Sequence, residues 1–151
     1  MQKRQLYYED IFQKLQQKKI KYLVIGGVAV NLHGVQRATG DIDLILSMDK
    51  ANLSKFIQIM GSMGMKPSIP QKPEILLDAK KLDKFRKAKN MKVFSFVQPD
   101  QPYLIVDVMI ENYFIFNDLY RRRQDVQAWG INVSVASIED IIKLKEIAAR
   151  E

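Results

Sequence analysis

A chain of 151 residues, 47% of them hydrophobic, is long enough for one domain with a sizeable core. It has no cysteine, which excludes a disulfide framework or a thiolate metal site and fits a reducing, cytoplasmic compartment. Twenty-four Lys and Arg against 17 Asp and Glu give a net charge of +7 and a pI near 9.5, a balance that favours polyanionic partners such as nucleotides or RNA.

The N-terminus, from Met1 to Asp10, carries charges with no apolar stretch behind it. No run reaches the roughly 18 apolar residues of a membrane span, so a soluble, unexported protein without a membrane partner is expected. Residues 6–18 place Leu6, Tyr7, Ile11, Phe12 and Leu15 at helical spacing, an amphipathic helix lying on the core. Ile20 to Ile25 is a β-branched apolar run stopped by glycine, the pattern of a strand buried on both faces. Val28 to Leu32 predicts a helix of about two turns, with Gly34 suited to the left-handed position that ends it. Asp41 to Leu46 reads as the second strand, and Asp49 as the N-cap of a helix over 50–63.

Lys66 to Pro73, with three prolines, predicts loop, and 76–89 a basic helix. Met91 to Gln98 and Tyr103 to Ile110 form a hairpin about Pro99-Asp100-Gln101-Pro102. A short helix is expected over 116–123, then a second hairpin about Trp129-Gly130 joining 126–128 to 131–135. Ser137-Ile-Glu-Asp140 opens the last helix with a capping-box-like start. No repeat, low-complexity tract or linker divides the chain, so 1–151 is expected to be a single domain.

The chemistry concentrates between Tyr22 and Leu46. Strand alternation puts Asp41 and Asp43 on one face about 6.6 Å apart, twice the roughly 3.3 Å rise, which suits carboxylates gripping one or two magnesium ions. Asp-x-Asp alone is also an ordinary solvent-facing strand start. Asp107 changes the balance, because it interrupts the apolar run from Leu104 to Ile110, where an unpaired charge is costly.

Gly26 and Gly27 stand where strand turns into helix; lacking Cβ, they either make a tight turn or let backbone N–H groups approach a phosphate. Neither a Gly-x-Gly-x-x-Gly nor a P-loop occurs. Arg37 and Thr39 lie on the loop before the acidic strand, suited to a phosphate contact or to turn structure. Lys145 on the last helix is a phosphate ligand or a solvated lysine, and His33, the one histidine, suits a helix end better than catalysis. Lys80, Lys81, Lys84, Arg86, Lys87, Lys89 and Lys92 make one basic cluster and Arg121 to Arg123 another, each a solvated face or a nucleic-acid contact.

Gly26-Gly27, Ala29, His33-Gly34, Arg37, Thr39 and Asp41-Ile-Asp43-Leu together resemble the signature of the nucleotidyltransferase superfamily, the fold shared with DNA polymerase beta. The Gly-Gly and His-Gly-x-x-Arg-x-Thr version is similar to small proteins of the AbiEii toxin group, and Val135 to Lys145 matches that group's closing helix. The resemblance implies an α/β (α+β) fold, a central mixed β-sheet with flanking helices. It implies that Gly26 and Gly27 contact a nucleoside triphosphate, and Arg37, Thr39 and Lys145 stand beside them as the candidate nucleotide-binding residues read from their positions. Asp41, Asp43 and Asp107 are implied as catalytic, metal-binding residues for Mg²⁺, as one or two ions that Mn²⁺ can replace.

The implied reaction moves a nucleoside monophosphate from a nucleoside triphosphate to a hydroxyl of an RNA, protein or small-molecule acceptor. Relatives usually continue beyond the last helix, so an acceptor-binding C-terminal portion is expected to be missing after Glu151. That leaves a catalytically silent nucleotide-binding or antitoxin-like module as the alternative, and a plain nucleic-acid binder as a third. The oligomeric state is not encoded in any pattern of the sequence.

Overall fold

The computed structural model describes residues 2–33, 40–111 and 114–149, the first six of these as helical backbone only. The chain runs α1 (Gln2–Gln17), β1 (Tyr22–Ile25), α2 (Gly26–Leu32), β2 (Ile42–Leu46), α3 (Lys50–Ser62) and β3 (Lys66–Pro67). A short 3-10 helix (Pro73–Leu77) leads into α4 (Ala79–Lys89), β4 (Val93–Gln98) and β5 (Gln101–Met109). The last part is α5 (Phe116–Arg121), β6 (Gln124–Ala128), β7 (Ile131–Val135) and α6 (Ile138–Ala149). The strands form one mixed sheet in the order β3-β4-β5-β2-β1-β7-β6. β1 runs parallel to β7 and β2 parallel to β5; the other neighbours are antiparallel.

The centre of the sheet is apolar because its strands are covered on both sides. All four residues of β1 are buried, and Leu44, Phe94, Phe96, Val106, Val108, Val133 and Val135 are fully enclosed. One layer is fixed by aromatic contacts: Phe56 of α3 meets Phe96 edge-on at 5.8 Å, and Phe12 of α1 stacks on Tyr22 and Trp129 at 6.1 and 5.7 Å. Burial lifts the Tyr22 phenol to a pKa of about 12. The hairpin about Trp129-Gly130 has positive φ at both residues, 54° and 74°, as a tight hairpin turn requires. A tryptophan is strained there, and its stacking on Phe12 offsets the strain.

Three expectations are corrected. Lys66-Pro67 is an edge strand on β4 rather than loop; an edge tolerates proline because no partner needs its missing N–H. The segment 76–89 is two helices, because Asp78 leaves helical geometry and its side chain accepts from Lys81 N at 3.1 Å to cap α4. Pro102 belongs to β5, so the β4–β5 turn is shorter than the four-residue Pro99 to Pro102 reading. Gly34, expected to end α2, lies outside the described residues. No described helix is long and apolar enough to cross a membrane.

Asn52 joins the central strands to α3. Its Oδ1 accepts from Lys21 N at 2.8 Å, and its Nδ2 donates to Lys21 O and Ser47 O at 3.0 and 2.9 Å, with the residue only 4% exposed. Asn52→Ala removes the side-chain partner of Lys21 N and Ser47 O, while Lys21 O keeps Ser47 N at 3.1 Å, a cost of about 1–3 kcal/mol for each orphaned group that water cannot reach. Urea denaturation is expected to show a loss of about 3 kcal/mol; a loss below about 1 kcal/mol would mean that solvent replaces the amide.

Candidate active site

Parallel pairing of β2 with β5 sets Asp43 directly opposite Asp107, and antiparallel pairing of β5 with β4 sets Asp107 opposite Ser95. Opposed residues in neighbouring strands share a face, with strands about 4.8 Å apart, so Asp43, Asp107 and Ser95 form a polar row across three strands. On the other side of Asp43 its partner is Ile25, the last residue of β1, followed at once by Gly26. All three polar side chains are half-buried.

Two carboxylates at this separation cannot both hold a charge cheaply. Burial, then the nearby charges of Asp107 and Asp41 and a hydrogen bond with Asp107, push the Asp43 carboxyl up to about 7. The Ser95 hydroxyl donates to Asp107 Oδ1 at 2.5 Å, which fixes that carboxylate and leaves Oδ2 for other partners. Hard carboxylate oxygens in like-charge contact are a donor set that a divalent cation fits, since a cation relieves the repulsion that otherwise holds a proton on Asp43.

Gly26 has a φ of +73°, where an L side chain is strained. A Cβ there would lie 3.1 Å from Asp43 Cγ and collide with Oδ2, so the backbone can pass the carboxylate only as glycine. The helix begins at this residue rather than at Val28. Beyond it opens a cleft of ≈ 220 Å³ with Gly26, Gly27 and Val30 on one wall, Leu144 and Lys145 on the other, and Ile25 and Met109 beneath. Ile25 pairs with Asp43 and Met109 lies two residues beyond Asp107, so this floor continues the face that carries the carboxylates.

Of the residues singled out in the sequence, Asp43, Asp107, Gly26, Gly27 and Lys145 gather about one face of the sheet. Asp41 comes two residues before Asp43 and acts on it through its charge. The three carboxylates do not close on a single point: among the described residues no group of three or more His, Cys, Asp or Glu side chains is placed to hold an ion. Asp41 precedes the first paired residue of β2, which separates it from the Asp43–Asp107 rung. Arg37 and Thr39 lie outside the described residues. His33 caps α2, and its Nε2 meets Ala136 O at 2.9 Å, tying the helix to the segment after β7 as a helix-end role requires.

Sequence reasoning missed two contributors. Ser95 is the one hydroxyl in Val93 to Val97, and the β4–β5 hairpin register pairs it with Asp107. Asp140, read as a dipole partner, is 1% exposed and accepts from Arg122 Nε and Nη2, each at 3.0 Å, while Ser137 Oγ accepts from its N–H at 3.1 Å. That clamp sets the start of the helix that brings Lys145 to the cleft.

No protein-family model matches the sequence, and no curated protein matches it. Solved structures do. The Thermotoga maritima protein TM1012, assigned as a nucleotidyltransferase, superposes with a TM-score of 0.64 at 16% identity over 95% of this chain and 83% of its own. ANT(2")-Ia, solved with adenylyl-2"-tobramycin, gives 0.63 at 14% identity over 99% of this chain and 78% of its own. The lincosamide antibiotic adenylyltransferase LnuA, solved with lincomycin, gives 0.58 at 17% identity over 95% and 84%. Likeness across nearly the whole chain at such low identity is a statement about architecture, and it establishes that this chain shares the fold of these nucleotidyltransferases.

Proposed function

We propose that this chain transfers a nucleoside monophosphate from a nucleoside triphosphate to an acceptor hydroxyl, with magnesium as cofactor and the cytoplasm as its setting. The observation that carries the reading is the Asp43–Asp107 rung beside Gly26, at the mouth of a cleft with a lysine on its wall. Asp43 and Asp107 would hold the cation, joined by Asp41, and the ion would neutralise charge on the transferring phosphate. Gly26 and Gly27 leave room for a triphosphate against the backbone, and Lys145 offers it a positive charge. The acceptor oxygen bonds to the α-phosphorus as the bond to pyrophosphate breaks. Ser95 holds Asp107 Oδ1, and once a cation has displaced the hydrogen bond between Asp43 and Asp107, the Asp107 carboxylate can take the acceptor's proton. Small-molecule acceptors are supported by neighbours of this fold that were solved with an adenylylated or intact antibiotic; RNA and protein hydroxyls fit the same chemistry. The kinship with the AbiEii toxin group rests on the His33-Gly34-x-x-Arg37-x-Thr39 segment.

A second reading, a nucleotide-binding module without turnover, is favoured by one observation: among the described residues no three acidic side chains are placed to hold an ion together. The two readings part in one assay, in which α-labelled nucleoside triphosphates and magnesium are offered with cellular RNA, protein extract or small hydroxylated antibiotics. The wild type is expected to label an acceptor, and Asp43→Ala or Asp107→Ala to lose about a hundredfold or more, since charge neutralisation here is worth several kcal/mol. Ser95→Ala is expected to lower kcat about tenfold with the nucleotide KM unchanged, and Ser95→Thr to restore it. Equal labelling by wild type and Asp43→Ala sinks the proposal, and metal-dependent nucleotide binding without labelling of any acceptor selects the second reading.

The Asp43 carboxyl also predicts a pH effect. Its pKa rises from 3.8 unfolded to about 7 folded, so the folded state binds the extra proton between those values. Stability therefore falls as pH rises from about 4 to 7 in the absence of divalent ions. Asp43→Asn is expected to flatten that slope and to raise the Tm at pH 8 by about 2–4 °C, the equivalent of about 1 kcal/mol. Thermal scans in chelator check it; an unchanged slope would mean that Asp43 is ionised throughout.

A further inference from the structure

Helix α4 sorts its charges. On one flank, over Ile110 and Met48, Arg86 bonds Asp83 at 2.7 Å and Glu111 at 2.9 Å, and Lys87 bonds Asp83 at 3.1 Å. On the other flank Lys81, Lys84 and Lys89, with Lys72 on the facing segment, form no ion pair among the described residues. These four lysines border two adjoining clefts of ≈ 610 and ≈ 530 Å³ that share Gln71 and the half-buried ring of Phe85. Ile75 lines the first, Ile69 and Met91 the second. Glu74 and Asp78 also border the first cleft, but the Asp78 carboxylate is engaged in capping α4.

A groove with an apolar floor, an aromatic ring at its centre and unneutralised lysines along its rims has the chemistry of a single-stranded polynucleotide site. Lysines follow the phosphates while a base stacks on the ring. A duplex keeps its base faces covered and would use the lysines alone. The groove is distinct from the carboxylate site, since none of Asp41, Asp43 and Asp107 lines it, although its edge comes near Ser95: Ile69 follows Ser68, whose N–H donates to Ser95 O at 2.9 Å.

We propose that the groove between α4 and residues 69–75 docks single-stranded nucleic acid, with Phe85 as the stacking platform and Lys72, Lys81, Lys84 and Lys89 as phosphate contacts. Docking there does not depend on nucleotidyl transfer, and the test separates the two. Fluorescence anisotropy with a labelled mixed-sequence 12-mer RNA should show binding whose log K falls with log salt at a slope of magnitude about 3, from four contacts at about 0.7 each. Lys81→Ala with Lys84→Ala should weaken binding more than tenfold and reduce the slope by about 1.4. Phe85→Ala should weaken it about tenfold with the slope unchanged, because stacking releases no counterion. Circular dichroism confirms that each variant is folded, and Lys72→Ala with Lys89→Ala gives an independent pair on the opposite rims. Asp43→Ala should bind RNA as the wild type does, even if no transfer activity is ever found. Absence of binding at 50 mM salt, equal affinity for duplex RNA or heparin, or full affinity in Phe85→Ala with the lysine pairs intact would overturn the proposal.

Discussion

Two carboxylates set opposite one another on adjacent strands are the constraint around which this fold is built. Hydrophobic burial would rather have apolar residues at both positions, and Coulomb repulsion opposes two charges there. The sheet accepts the pair because its neighbours relieve it: Ser95 donates to one carboxylate, and burial and the nearby charges push the other up to about 7, so that it holds a proton more readily. On the β1 side the backbone comes so close to Asp43 that only glycine fits. A site held this tightly on strands is arranged before any ligand arrives, which is what chemistry by positioning and charge neutralisation requires.

The surroundings serve that placement. β1 and β2 pair antiparallel so that Ile25 meets Asp43, and the parallel insertion of β7 beside β1 delivers the chain to Ala136, where His33 grips it. From there Ser137 caps α6 and Arg122 locks the buried Asp140, whose charge would be costly unpaired. The cleft between α2 and α6 is thus framed by two polar joints, with apolar packing by Ile141 and Leu144 between them. Asn52 performs the same service at the opposite end of β1, where it satisfies backbone groups flanking both central strands.

Much of this was legible in the sequence. Glycines at a strand end and an acid inside an apolar run each break a local rule, and a broken rule is where function is expected to override packing, whereas Asp-x-Asp at a strand start took its meaning from Asp107. Ser95 breaks none: a serine is unremarkable in a hairpin, and only the register of β4 on β5 reveals its partner. The Arg122–Asp140 clamp was hidden for a related reason, since Arg122 read as part of a basic cluster and Asp140 as a dipole partner, each explained within its own segment, and their meeting depends on how α5 packs near α6. The strand Lys66-Pro67 escaped because proline ordinarily argues against a ladder, and its edge position, a tertiary fact, lifts the objection. Spacing along a strand says which face a side chain takes, not whether three carboxylates converge on one ion.

The basic composition resolves in the same way. Taken as a count, +7 says only that polyanions are attracted. In the fold, Arg121, Arg122 and Arg123 each bond an acid, at Asp118, Asp140 and Asp125, so that cluster is largely scaffold. Arginine suits such duty because its planar fork holds a carboxylate in a fixed geometry, as it does at Asp140. The lysines of α4 that face Phe85 are unpaired among the described residues, and their compact, well-hydrated charges on flexible stems can follow a phosphate backbone without a fixed partner. What separates a binding surface from a stabilising one here is therefore which cations the fold has already neutralised, a distinction that only three-dimensional pairing makes.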